Sequence, residues 1–274
     1  MMSCGPSERV IRIGMPQMAA GCLSENWLLK ELGSFHWDRL CASLGHKSHE
    51  LADSEGRRLY ATFVRVRMAL NGTLADFHEG DDLRLGLSMK RFGRSSLMSE
   101  ISIEGGHSSG EAIMMSTFSF RTAENNTSLT KSEPASNYDS SVAATNEPPT
   151  FFSEYSEVRR NHGKRRIDDV SCLSNAAYQI NPFTDSNGAN LLYFASYQSI
   201  HDFLSSRAMT DFHTKSRDVC YFRNCNLGDT ISIASASDIV CTDNRLERAD
   251  ILFRASDGES IAYVSTLKER ANVT

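Results

Sequence analysis

GMPQMAAGCLSENWLLKELG, residues 14–33, is the stretch on which the reading of the fold turns. Its first half supplies glycines and small residues, and its second half is an apolar helix. Ser24 can cap the free N–H groups, Trp27, Leu28 and Leu32 recur at helical spacing, and Gly33 suits the left-handed position that would end the segment. The segment reads as a loop that delivers the N-terminus of a buried helix. A second stretch, NPFTDSNGANLLYFASYQSI at residues 181–200, repeats the design, with Pro, Asp and Gly ahead of a helix apolar on nearly every side. A helix without a polar face must be wrapped by other elements. Asn26-Trp27-Leu28-Leu29 aligns with Asn190-Leu191-Leu192-Tyr193, 164 residues later, which suggests two copies of one unit.

Working outward from the first helix, LYATFVRVRMAL (59–70) places Tyr60, Thr62, Val64, Val66 and Met68 on one face of a strand, with Arg65 and Arg67 on the other. In DFHEGDDLRLGLSM (76–89), a Glu79-Gly80-Asp81 turn precedes the alternating Leu83, Leu85, Leu87 and Met89, and SLMSEISI and GEAIMMSTFSF complete four strands. DVCYFRNCNLGDTISIA, LERADILFRASDG and ESIAYVSTL form a comparable set in the second half. Gly80-Asp81 lies opposite Gly228-Asp229, and GEAIMMSTF from Gly110 lies opposite GESIAYVSTL from Gly258, both at an offset of 148. One helix followed by an antiparallel sheet, twice over, predicts an α+β double hot-dog: two curled antiparallel sheets, each wrapped round a central helix. Residues 1–121 form the N-terminal unit, 151–274 the C-terminal unit, and 122–150 a flexible linker, because that stretch has almost no large apolar residue to bury.

The 274 residues, 40% of them hydrophobic and 9% aromatic, suffice for a substantial core. No run approaches the roughly 18 apolar residues of a membrane span, and MMSCGPSERVIRIG lacks the pattern of a signal peptide, so a cytoplasmic location is expected. The seven cysteines are dispersed without a CxxC pair, which signals neither a disulfide framework nor a zinc site. A net charge of −5 argues against nucleic acid and leaves small molecules and proteins as partners.

No HExxH, GxSxG, Walker or dinucleotide fingerprint occurs, and EGGHSSG reads as a hairpin turn with His107 as a loop histidine; His78 beside the Glu79-Gly80-Asp81 turn reads likewise. Glu25 and Asp185 occupy helix-start positions where acids commonly act as caps. In a hot-dog arrangement the central helix aims free N–H groups at the substrate, where they can hold a thioester oxygen. Gly21, Ser24 and Asn26, with Asp185, Asn187 and Gly188, are therefore the expected substrate-binding positions, through their backbone more than their side chains. Tyr60 has core packing with a bonded hydroxyl as its ordinary explanation. The basic run Arg159 to Arg166 is a solvated face or a surface for the phosphates of coenzyme A or an acidic carrier protein.

GMPQMAAGCLSENWLLKELG, RRLYATFVRVR, NPFTDSNGANLLYFASY and RDVCYFRNCNLGD together resemble a family of double hot-dog acyltransferase/decarboxylases of polyketide biosynthesis, of the leinamycin type. The likeness runs through both halves. It implies decarboxylation of methylmalonyl-coenzyme A and transfer of the propionyl group to the phosphopantetheine arm of an acyl carrier protein. It also implies that Tyr60 is the central catalytic residue. No metal and no cofactor is implied beyond the coenzyme A thioester as substrate; a homodimer is compatible with it. A hot-dog thioesterase or dehydratase using Asp185 or a histidine as base is the alternative enzyme, and a non-catalytic acyl-carrier binding module is the alternative outside catalysis.

Overall fold

The computed structural model describes residues 7–93, 95–122, 126–127, 129–145, 147–170, 173–205 and 211–270. In chain order, the first half comprises β1 (Glu8–Arg12), the short pair β2 (Met18–Ala19) and β3 (Cys22–Leu23), α1 (Glu25–Leu44), β4 (Tyr60–Leu70), β5 (Asp82–Phe92), β6 (Ser96–Glu104) and β7 (Ser109–Arg121). Then come β8 (Leu129–Lys131), β9 (Ala143–Thr145) and α2 (Thr150–His162). The second half comprises β10 (Leu173–Gln179), α3 (Ser196–Ser205), β11 (Phe212–Tyr221), β12 (Thr230–Ser235), β13 (Val240–Cys241), β14 (Arg245–Arg254) and β15 (Ser260–Arg270).

The two expected sheets join into one. A single 13-stranded sheet runs β1-β5-β6-β7-β4-β11-β15-β14-β12-β10, with β8, β9 and β13 on its flanks. From the β4–β11 junction outward, the order in one half repeats that in the other, β4 corresponding to β11, β7 to β15, β6 to β14, β5 to β12 and β1 to β10. The repetition extends to single bonds: Ile13 N donates to Asp81 O at 2.8 Å, and Ile180 N donates to Asp229 O at 2.9 Å. Joining β4 to β11 pairs two strands that would otherwise be open edges, which is the physical reason for continuity. On one face Arg65 of β4 grips Asp218 of β11 at 2.6 Å, and α2 covers the seam with Phe151 and Tyr155 against Val64, Met115 and Cys220.

α1 begins as expected, with the Ser24 hydroxyl accepting from Trp27 N at 3.3 Å. It does not end at Gly33: it continues to Leu44, and Gly45, at φ 71°, takes the left-handed cap. Leu28, Leu29, Leu32, Phe35 and Leu40 are almost wholly buried, each contributing about 1.5–3 kcal/mol of burial free energy. One polar side chain sits among them. His36 is held by Ser99 Oγ at Nδ1 (2.7 Å) and Ser116 Oγ at Nε2 (2.8 Å), and burial pulls it down to about 3.

The second helix also departs from expectation. α3 starts at Ser196, and the Asn190-Leu191-Leu192-Tyr193 segment assigned to it is a loop. Asn187 Oδ1 accepts from Ala189 N (2.9 Å) and Leu191 N (3.1 Å), Asn190 adopts φ 57°, and Tyr193 N bonds back to Asp185 O at 2.7 Å. Asn and Asp side chains thus offer the backbone partners that outcompete helix despite the apolar run. The helix starts that correspond are Glu25 and Ser196, so the alignment of Asn26 with Asn190 is seven residues out of step.

Residues 122–150, expected as a flexible linker, include two paired strands: β8 on β7, and β9 parallel to β5. Val142 is buried, and Asp139 N donates to Ser43 O at 2.8 Å. Composition undervalued this stretch because it counts apolar side chains and misses backbone pairing onto the sheet, which here joins anchors such as Val142, Tyr138 and Asn126.

Candidate functional site

The face assignment of β4 changes at a bulge. Its register with β7 slips between Phe63 and Arg65. Ala61 and Phe63 therefore pack on the main core together with Val66 and Met68, while Val64 joins the α2 face. An extra residue in one strand inverts every side chain before it, so Tyr60 and Thr62 lie on the face that carries Arg65 and not on the expected inward one. β11 carries the corresponding slip, between Thr214 and Ser216.

β11 pairs with β4 only along Arg65–Ala69, after which Phe222 N turns to Ile261 O. The chain's departure leaves a gap beside Ala61–Val64, and there a cavity of about 250 Å³ opens. Its walls are Ala61 to Val64 of β4, Thr117 and Ser119 of β7, Asn187 and Leu191 to Phe194 of the loop entering α3, Tyr197 of α3, and Tyr221 to Asn224. Tyr155 and Arg159 of α2, Asn126 and Thr127, and Leu129 and Lys131 of β8 complete it.

Hydrogen bonds fix several walls. Tyr221 OH donates to Phe194 O (3.1 Å), Tyr197 OH to Arg223 O (3.0 Å) and Tyr155 OH to Tyr221 O (3.2 Å), and burial raises all three phenols above their usual range. Thr62 is different: its buried Oγ1 has no hydrogen-bond partner in the protein. Desolvation and the nearby Arg159 guanidinium lower the Lys131 ammonium, so two cations crowd one rim. Among the described residues the lining holds no carboxylate and no imidazole.

The corresponding place in the other half is closed. Glu25, first residue of α1, accepts from Arg217 Nε at 2.7 Å and from Thr214 Oγ1 at 2.8 Å. Arg217, 1% exposed, also reaches Asp202 at 3.0 Å and Thr266 Oγ1 at 2.6 Å, and Lys268 joins Asp202 at 2.8 Å. Thr214 precedes the β11 bulge as Phe63 precedes that of β4. The two helix starts have therefore diverged, one into an ion network and one into a cavity.

Of the residues expected to bind substrate, Asn187 lines the cavity. Ser24 caps α1, Asn26 Nδ2 ties the helices together by donating to Ala195 O (2.9 Å) and Ser199 Oγ (3.0 Å), and Gly21 sits in a turn at φ 76°. Asp185 is buried, accepting from Tyr178 OH and Asn181 N, both at 2.8 Å, and Gly188 is outside the lining. Tyr60 is half-buried beneath the Arg58 guanidinium, 5.2 Å from its ring centre, and outside the lining. Thr62, Phe194 and Tyr197 were not anticipated. Thr62 was visible only as part of a strand pattern, and Phe194 and Tyr197 only as helix core.

No family model and no curated protein matches the chain. Solved structures do. An acyl-ACP thioesterase of Bacteroides thetaiotaomicron superposes with a TM-score of 0.65 at 12% identity, over 96% of this chain and 97% of that one. A Lactobacillus plantarum protein assigned as an oleoyl thioesterase gives 0.68 at 11% identity, over 96% of each chain. The 12:0-ACP thioesterase of Umbellularia californica gives 0.62 at 11%, over 96% of this chain and 97% of that one. The fold is a hot-dog fold. At such identities the likeness extends to the fold alone. Among the described residues no helix is long and apolar enough to cross a membrane.

Proposed function

We propose that the protein is an enzyme acting on a short acyl thioester, with the acyl group held in the cavity between β4 and the loop entering α3. Each half is then one hot-dog unit, approximately residues 1–121 and 151–274, and the pair is a double hot-dog in one chain. The observation that carries the reading is a cavity lined by Thr62, whose buried hydroxyl has no partner in the protein, and by Tyr197 in the first turn of α3. A helix start presents N–H groups without intrahelical partners, suited to an oxygen that gains charge in the transition state. The volume of about 250 Å³ lies just below the roughly 300–1,000 Å³ of sites for drug-sized ligands, which favours a short acyl group.

Thioester hydrolysis is the reading favoured by the fold, since the similar structures are thioesterases of acyl-ACP or oleoyl substrates. A second reading rests on the lining itself, whose described residues include no carboxylate or imidazole to activate water. Decarboxylation of a malonyl-type thioester, methylmalonyl included, needs no such base: loss of carbon dioxide leaves an enolate, which Thr62 and the helix start would stabilise. Lys131 and Arg159 would meet the anionic part of the thioester, and the basic end of α2 an acidic carrier protein.

The experiment is incubation with acetyl-, octanoyl-, malonyl- and methylmalonyl-coenzyme A, with and without a phosphopantetheinylated carrier. Free thiol, carbon dioxide and carrier mass are measured separately. Free acid from saturated thioesters supports hydrolysis; carbon dioxide with a mass gain on the carrier supports decarboxylation and transfer. Binding without turnover assigns a non-catalytic module, and neither binding nor turnover with any thioester overturns the proposal.

A further inference from the structure

The end of β4 away from the cavity leads into the His78-Glu79-Gly80-Asp81 turn, which meets the loop between β6 and β7. There His78, Asp81 and His107 each offer a ligand atom, and these atoms all lie within 4.8 Å of one another. The two imidazole rings are 4.7 Å apart between centres. Both histidines are exposed and Asp81 half-buried.

The second half provides an internal control for what the turn itself requires. His78 N donates to Asp81 Oδ2 at 3.0 Å, and the corresponding Asn226 N donates to Asp229 Oδ2 at 2.8 Å. The same turn is therefore built with Asn in place of His. Across from it, the β14–β15 connection has no histidine; Asp257 there is held by Arg254. The His pair is an addition to the first copy. Two glycines bring its loop close: a Cβ on Gly106 would lie 2.9 Å from the Asp81 carboxylate, and one on Gly105 would lie 2.4 Å from the Phe77 ring.

We propose that His78, Asp81 and His107 form a binding site for a divalent transition metal of the Zn²⁺, Co²⁺ or Ni²⁺ kind. Two imidazoles and one carboxylate are a donor set suited to such ions, and water supplies the remaining ligands. Metal–ligand distances of about 2.0–2.2 Å put donors in a tetrahedral site roughly 3.3 Å apart, a separation exposed imidazoles reach by side-chain rotation. The site is separate from the cavity at Ala61–Val64, at the other end of the same strand.

The test uses tag-free, EDTA-stripped full-length protein titrated calorimetrically with Zn²⁺ and, for its visible absorption, with Co²⁺. One ion per chain is expected. His78→Asn, which places in the turn the residue its counterpart already carries, is expected to fold normally and to weaken binding by roughly tenfold or more, and His107→Ala likewise. Absence of stoichiometric binding to the wild type overturns the proposal. Equal affinity in His78→Asn also overturns it, because the ion is then held elsewhere, for instance at the exposed Cys241.

Discussion

Gly33 lies against Phe194: a Cβ built on this mid-helix glycine would be 2.5 Å from the ring Cζ. The contact links the helix of the first half to the cavity wall of the second. Gly33→Ala favours helix by up to about 1 kcal/mol, yet the packed ring must move, and overpacking costs about 1–3 kcal/mol. The expected result is a modest net loss in urea unfolding with a raised KM for the thioester, as the displaced ring takes up cavity space.

Arg217 is expected to matter for stability more than for turnover. Arg217→Met leaves the carboxylates of Glu25 and Asp202 without their shared cation, a change worth about 3–5 kcal/mol for buried pairs. Adding Glu25→Gln should recover part of the loss, which a double-mutant cycle in denaturant measures. An additive loss in the double variant would show that Glu25 and Arg217 are not coupled.

His36 predicts a pH dependence. Its folded value of about 3 lies below the ordinary 6.5, so between these pH values the unfolded chain takes up a proton that the folded chain excludes. Stability from this group is therefore lost as pH falls below about 6.5, by about 2 kcal/mol between pH 7 and pH 5. His36→Gln, which can still bond both serines, should be less stable at pH 7 but show a flatter decline, read as the difference between the two urea series.

Thr62 and Tyr60 separate two placements of the chemistry. Thr62→Val keeps the shape of the cavity wall and removes its unpartnered hydroxyl. A fall in kcat of roughly tenfold or more, about 1.4 kcal/mol, is expected. Tyr60→Phe, outside the lining, is expected to leave kcat within about twofold. A larger loss for Tyr60→Phe than for Thr62→Val would move the reacting atoms to the outer part of β4 and favour the role that the family resemblance implies.

Local pattern determined much of the architecture. The capped apolar run from Ser24, the alternation of Leu83 to Met89 and the two repeated Gly-Asp turns are short-range signals, and they specify helix, strand and duplication before any tertiary contact forms. Tertiary structure decided what depends on distant partners. Gly33 looked like a helix end because its neighbour Phe194, far away in sequence, is invisible locally. Tyr60 looked inward because alternation cannot reveal a bulge four residues on. The linker looked mobile because composition counts apolar side chains and not backbone pairing onto β5 and β7. The choice between two similar helix starts lay beyond sequence for the same reason: only folding brings Arg217 to Glu25 and leaves Thr62 without a partner, so that one helix start joins an ion network and the other borders a cavity.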